Sequence, residues 1–389
     1  MGERRRLLKK PILAVIRGLG PRMAQIYFYS QFKHFQIRLI ANSFPKEADK
    51  FKTKIEFIKL GLKPFYGFDP FSLKGVNHRS WVGFDGLEKC LKDVKVIETL
   101  TSFYFYSRQA AILAEKLHKP LVVSIWEINP FHPATWLPPY CFNVRKVLRQ
   151  GDLFILKSKK SGEFLDRFKI EEKRRKQIYM GIDLKLFKPG KGGGGSRILY
   201  VGRLVKSKGV EDLIEAFRIL SMRRRETELW LVGEGPLKER LKKLTRGLPV
   251  KVLGRLSYKK MPALYQKADL VCLPSKTGRY FGLIKREEMF PYVGMEAMAS
   301  GLAVVGTRTG GIPEAVGPAN TLVKAGDIKA LVKGIEKFLS NKVLRRKTGM
   351  LNRKFALKNY DLKRQARKTE EAILALLSAP KREEVKKTP

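Results

Sequence analysis

The sequence of 389 residues is poor in cysteine, in histidine and in acid. Its three cysteines, Cys90, Cys141 and Cys272, form no CxxC pair and no Cys/His spacing. An odd, scattered set excludes a disulfide framework and a zinc module, and reads as reduced core thiols of a cytosolic protein. The four histidines, His34, His78, His118 and His132, show no metal-ligand spacing, so no resident metal is expected. No apolar run approaches the ~18–20 residues that a membrane span needs. The opening MGERRRLLKKPILAVIRG has a basic head, but its apolar run, Pro11–Ile16, is cut by Arg17 and is too short for the core of a signal peptide. The chain reads as cytoplasmic, peripheral to a membrane at most. Acid is the largest deficit. Asp and Glu number 36 against 80 Lys and Arg, a net charge of +44 spread over both halves of the chain. Thermophile surfaces mix both signs, whereas this excess is one-sided. It favours polyanionic partners: nucleic acid, anionic membrane or phosphorylated substrates.

What is present is a globular chain. A hydrophobic fraction of 44% excludes disorder, and the length suggests two domains. Pro11–Ile16 is predicted as a buried parallel strand ended by Gly18 and Gly20. Gln36–Ile40, Val94–Glu98, Leu121–Ile125 and Leu153–Leu156 read as further strands, with helices over Tyr27–Phe35 and Ser107–Leu117. Residues 42–75 are rich in Lys and Phe without a clear period. The stretch KPGKGGGGS, Lys188–Ser196, is a linker by composition. After it the alternation is cleaner. Strands are predicted over Ile198–Val201, Leu229–Val232, Val250–Leu253, Leu270–Leu273 and Ala303–Val305. Helices are predicted over Val210–Leu220, Pro236–Leu244, Lys260–Lys267 and Pro291–Ser300. Asp327–Ser378 reads as helical and basic. The class is α/β, with doubly wound parallel sheets.

Ligands of such sheets bind at the carboxyl ends of strands, beside helix N-termini. Four turns there carry unusual residues. In Gly202-Arg-Leu-Val-Lys-Ser-Lys-Gly209 the glycine lets backbone approach a ligand, while Arg203 and Lys208 offer positive charge to phosphate oxygens. Gly233-Glu-Gly-Pro236 has proline at a helix start. In Glu288-Met-Phe-Pro-Tyr-Val-Gly-Met-Glu296 the free amides of Tyr292 and Val293 would face an anion. Glu296 would lie on the buried side of that helix, where sugar hydroxyls could serve as its hydrogen-bond donors. In Thr307-Arg-Thr-Gly-Gly-Ile-Pro-Glu314 the adjacent Gly310 and Gly311 allow a backbone shape that β-carbons forbid.

The four turns, in order VGRLVKSKG, LVGEGP, the E-x7-E pair running into EAMASG, and TGGIPE, resemble the family-4 retaining glycosyltransferases of the GT-B fold. The resemblance covers about residues 180–320, with MGIDLKLFKP at its start. It implies two Rossmann-like domains facing across a deep cleft: residues 1–180 on the acceptor side, and 181–389 holding the nucleotide sugar. The final helices, about 355–378, would pack back on the first domain. It further implies that Arg203 and Lys208 hold the donor diphosphate, that Glu296 holds the ribose, and that Glu288 sits by the transferred sugar. The backbone at Gly202 and at Leu256 would line the nucleotide. The donor, UDP- or GDP-linked, would be the nucleotide ligand, with no cofactor and no metal. Three departures stand out. Pro291 replaces the usual glycine. The stretch Ser275–Arg286 is long and holds a decoy, Phe281-Gly-Leu-Ile-Lys-Arg-Glu287, that lacks the preceding acid. Trp126 stands where many members place a histidine, so Glu127 or His132 would take its role on the acceptor side.

Gly18 and Gly20 could let backbone face the donor phosphates, with Arg17 or Arg22 beside them. The aromatics Tyr27, Phe28, Tyr29, Phe32 and Phe35, and the Lys50–Lys63 stretch with Phe51 and Phe57, mix with lysines as an anionic membrane interface would. Core packing of the same rings is the alternative. The expected activity is transfer of a hexose, with retention, to a hydroxyl of a lipid or lipid-linked glycan at the cytoplasmic membrane face. Two other readings stand beside it: a nucleic-acid-binding protein on the same scaffold, for which no motif is seen, and a sugar-nucleotide epimerase, against which the EAMASG context argues.

Overall fold

The computed structural model describes residues 10–18, 20–64, 82–192, 194–280 and 284–380. His78 and residues 281–283 of the Phe281–Glu287 decoy lie outside what is described. The first part of the chain runs β1 (Ile12–Ile16), α1 (Met23–Tyr29), β2 (Gln36–Ala41), β3 (Ile55–Lys59), β4 (Leu62–Pro64), β5 (Val82–Phe84), β6 (Val96–Leu100), α2 (Phe105–Lys116), β7 (Leu121–Ile125), α3 (Tyr140–Gln150), β8 (Leu153–Leu156), α4 (Lys160–Asp166) and β9 (Arg175–Gln177). The second runs β10 (Arg197–Val201), α5 (Val210–Arg223), β11 (Glu228–Val232), α6 (Lys238–Leu244), β12 (Val250–Gly254), α7 (Met261–Lys267), β13 (Leu270–Leu273), β14 (Gly278–Tyr280), β15 (Ile284–Arg286), α8 (Tyr292–Ala299), β16 (Ala303–Thr307), α9 (Ile312–Val316), β17 (Thr321–Val323), α10 (Ile328–Ser340), α11 (Lys342–Asn359) and α12 (Leu362–Ser378).

Two parallel sheets result, in the orders β3-β2-β1-β6-β7-β8-β9 and β12-β11-β10-β13-β16-β17. Their central strands are runs of Val, Ile, Leu and Ala buried on both faces, as helices on each side require. Strand order reverses between β1 and β6 in the first sheet and between β10 and β13 in the second. At such a switch point the flanking helices diverge and leave a crevice at the carboxyl ends of the strands. The turn after β1 and the turn after β10 therefore both border a crevice.

The two sheets share one apolar core, which joins Leu13, Val15 and Phe28 to Leu199, Val271 and Met295. The last helix comes back to the first sheet. Ile182 N–H donates to the Tyr360 carbonyl at 2.7 Å, and the Glu370 carboxylate of α12 accepts from the amides of Lys33 and His34 at 2.7 and 2.5 Å. That contact explains one departure from sequence expectation. The helix predicted over Tyr27–Phe35 is Met23–Tyr29 instead. The amides of Lys33 and His34 bond to a distant carboxylate rather than to their own helix. A second departure is β3, which falls in the stretch with no clear period. It is an edge strand beside β2, and its Glu56 pairs with Arg38 at 2.8 Å.

The membrane-facing reading of the early aromatics is overturned. Phe28, Tyr29, Phe35, Phe51 and Ile55 are all buried. The basic residues among them lie on the outer rim of a packed core.

Candidate active site between the two sheets

The turn after β10 carries Gly202 to Gly209. Gly209 has φ +63°, and a β-carbon there would lie 1.8 Å from the Pro274 carbonyl oxygen. This close approach brings the loop that holds Lys208 against the end of β13. Lys208 Nζ forms an ion pair with Glu288 Oε2, which also accepts from Ser275 Oγ at 3.2 Å. Arg203 is exposed, and among the described residues its guanidinium has no ion pair. Gly202 donates its amide to Val232 O at 2.9 Å and so continues the sheet.

Glu288 is held by backbone. Gly311 N–H donates to Glu288 O at 2.7 Å. β-Carbons on Gly310 and Gly311 would lie 2.1 Å from Glu288 O and 1.9 Å from Met289 O. The double glycine is thus explained for two different reasons. Gly310 has φ +55° and needs the left-handed region, whereas Gly311 has ordinary φ and needs only the missing β-carbon.

Pro291 is the N-cap of α8, one position earlier than the first helical residue expected for it. The amides of Tyr292 and Val293 open the helix and have no intrahelical acceptor. Glu296 lies one turn in and is buried. Its Oε2 accepts from Tyr265 OH at 2.7 Å. Burial pushes the Glu296 carboxyl up to about 7, against the opposing effects of the Tyr265 hydrogen bond and the Arg22 charge. Tyr265 was missed from sequence: it lies on the apolar face of α7, where an aromatic reads as core. Leu256 is half-buried and packs against the shared core beside Tyr258.

The first sheet supplies the opposite wall. Gly18 is in place because a β-carbon would lie 2.4 Å from the Tyr106 ring, and Gly20, at φ +99°, because one would lie 2.6 Å from Ser43 O. Arg22 reaches across: its guanidinium lies 5.8 Å from the centre of the Tyr292 ring. Trp126 stacks on the same tyrosine, at 6.1 Å and 24°. Trp126 Nε1 and Tyr292 OH are buried with no hydrogen-bond partner among the described residues. Two of the three sequence departures, at Trp126 and beside Pro291, therefore meet in space.

The other acceptor-side candidates have structural duties. Glu127 Oε1 accepts from Ser102 Oγ at 2.5 Å and from the Ser102 amide, and its Oε2 from the Trp126 amide at 3.1 Å. It clips together the loops after β6 and β7, and burial raises its pKa. His132 Nδ1 accepts from Ala134 N at 3.1 Å and its ring stacks on Phe103 at 5.9 Å; burial lowers its pKa. Arg17 turns inward. It pairs with Glu98 at 2.9 Å, and Glu98 also accepts from Ser124 Oγ at 2.7 Å and from Tyr29 OH. Sequence reading missed Glu98, though an acid within a Val/Ile strand was a visible signal. Among the described residues no three His, Cys, Asp or Glu side chains are grouped to hold a metal ion.

Residues 182–355 match the family of glycosyl transferases group 1. The chain is 26% identical over 263 residues to sulfoquinovosyl transferase of Arabidopsis thaliana, covering 61% of this chain and 48% of that protein. It is 32% identical over 200 residues to a GDP-mannose-dependent α-(1-6)-phosphatidylinositol monomannoside mannosyltransferase of Mycolicibacterium smegmatis, covering 48% of each. The matches span about half the length of these relatives. The crystal structure of Anabaena HepE in complex with UDP-glucose superposes with a TM-score of 0.73 at 19% identity, over 94% of this chain and 99% of that one.

Proposed function

With residues 182–355 belonging to the glycosyl transferases group 1 and the chain folded as GT-B, we propose that the protein moves a hexose from a nucleotide-diphosphate sugar to a hydroxyl acceptor, with retention at the anomeric carbon. One observation carries the reading. Glu288 and Glu296 stand at the two ends of a segment at the switch point of the second sheet, one paired with Lys208 and the other buried against Tyr265. A buried carboxylate with one donor has lone pairs to spare, and a ribose diol fills them. The donor diphosphate competes with Glu288 for Lys208, and the exposed Arg203 guanidinium takes a second phosphate oxygen. The N-terminal amides of α8 add to the same charge. Glu288, once released from Lys208, faces the sugar and stabilises positive charge on its ring.

The acceptor hydroxyl enters from the first sheet. Trp126 Nε1 and Tyr292 OH, buried without a partner among the described residues, are polar atoms that sugar hydroxyls would satisfy there. The leaving phosphate oxygen takes the acceptor proton on the face it departs from, so no separate base is called on. We assign residues 1–180 to the acceptor and 181–389 to the donor. A lipid or lipid-linked glycan at the cytoplasmic membrane face fits the net charge of +44. The relative that acts on a phosphatidylinositol mannoside supports the same choice.

The test is transfer itself. Purified protein is incubated with UDP- and GDP-hexoses and a phospholipid acceptor, and the product anomer is read by NMR. A product with the donor's anomeric configuration is expected. An inverted product would overturn retention, and free epimerised nucleotide sugar would replace the transfer reading.

A further inference from the structure

The loop after β7 and the start of α3 leave four large apolar side chains in solvent within twelve residues. Phe131 is 72% exposed, Trp136 49%, Leu137 41% and Phe142 48%. Single exposed apolar residues are ordinary, but a group of four, three of them aromatic and one of those a tryptophan, is a patch. It is not cover for a nearby core, because the buried residues between them already fill that role. Pro133, Ala134 and Thr135 face inward, as do Cys141 and Val144.

Cations predominate around the patch, and the acid that α3 meets, Glu115, is taken up by Lys146 at 2.5 Å. Residues 128–151 contain no Asp or Glu, while Arg145, Lys146 and Arg149 follow Phe142 along α3. Phe142, Arg145 and Arg149 are all exposed and stand three and four residues apart, which puts them on one face of the helix. Arg167 closes the other side. Its guanidinium lies 4.8 Å from the centre of the Phe131 ring and donates to Pro130 O at 2.7 Å. A protein partner would also accept aromatics, but the exposed Arg145, Arg149 and Arg167 leave this face with an excess of positive charge that a uniformly anionic surface matches best. Aromatic tips ringed mainly by cations match the interface of an anionic bilayer, where rings sit among the headgroups and Arg pairs with phosphate.

We propose that this face, Phe131 to Phe142 with Arg145, Arg149 and Arg167, seats the protein on anionic phospholipid. Its place in the fold gives the contact a purpose. The loop begins at the end of β7 with Trp126, which stacks on Tyr292 at the mouth of the candidate site. A chain seated here holds the acceptor wall of the cleft against the lipid surface, and this purpose rests on the reading of a lipid-linked acceptor. The seating itself does not.

The experiment is vesicle flotation of the full chain with phosphatidylcholine alone and with phosphatidylcholine containing phosphatidylglycerol. Wild type is expected to float with the anionic vesicles, to shift its tryptophan emission to the blue, and to release as salt rises. Phe131→Ser with Trp136→Ser is expected to lower the partition at least tenfold while the protein still melts cooperatively. Trp136→Phe should keep flotation and lose most of the blue shift. Arg145→Glu with Arg149→Glu should remove the preference for anionic lipid. Failure of wild type to float at low salt would overturn the proposal. So would equal flotation of the Phe131→Ser, Trp136→Ser protein, because the field of the whole surface would then explain binding. Flotation lost in that variant supports the face whether or not a nucleotide sugar binds, so this proposal and that of the cleft fail separately.

Discussion

Glu296 is the residue on which the nucleotide reading turns. Its carboxyl is held near 7 by burial, above the ordinary range. The sign follows from linkage. The empty protein gains stability from this group at low pH and loses it as pH rises through 7. A ribose diol donates to the ionised form, so donor binding should strengthen over the same rise. Calorimetric titration with UDP or GDP across that range is expected to show this slope in wild type and to lose it in Glu296→Gln. Lys208 makes a second prediction. Lys208→Met removes a charged hydrogen bond to phosphate, so kcat/KM should fall by the equivalent of ~1.5–3 kcal/mol. A loss confined to stability would make the Glu288 pair merely structural. Both acids were legible in sequence from their spacing and from Pro291. Tyr265 and Glu98 were not. A tyrosine on an apolar helix face reads as core, and Glu98 was placed as a strand end although β6 continues to Leu100.

At the scale of elements, the double glycine is the support of the site. Gly311 has an ordinary φ, so Gly311→Ala adds only a steric conflict, 1.9 Å from Met289 O. Overpacking of this kind costs ~1–3 kcal/mol, and it displaces the backbone that aims Glu288. Urea melts and turnover should both fall, whereas Gly61→Ala, with open space around its β-carbon, should leave both unchanged. The buried Arg17–Glu98 pair ties β1 to β6 across the switch point. Glu98→Ala leaves the guanidinium uncompensated and should cost ~3–5 kcal/mol in a denaturant melt. Desolvation raises the Glu98 pKa, but Arg17 and its other partners outweigh that and hold it below the ordinary range. Its contribution is therefore full at neutral pH and lost as pH falls through that depressed value. Elements with a strong period were read correctly from sequence, as in β10, α5 and β13. Those set by distant contacts were not. Glu370 of α12 cuts α1 short, and β3 was hidden because Glu56 and Lys59 break its apolar run.

At the scale of the molecule, the +44 charge was legible from composition, but the exposed apolar face beside α3 was not. Sequence pointed to the early aromatics, which fold into the core shared by the two sheets. The exposed rings lie a hundred residues later, in a stretch whose helix α3 was not foreseen. Whether this cleft binds a nucleotide sugar through the second sheet is decided by a thermal-shift panel of UDP- and GDP-sugars on wild type and on Glu296→Ala. Binding to the folded state raises the melting temperature. Sugars of one nucleotide are expected to raise it in wild type and to leave the variant unmoved. No shift with any donor, or an equal shift in the variant, would contradict the donor site described here.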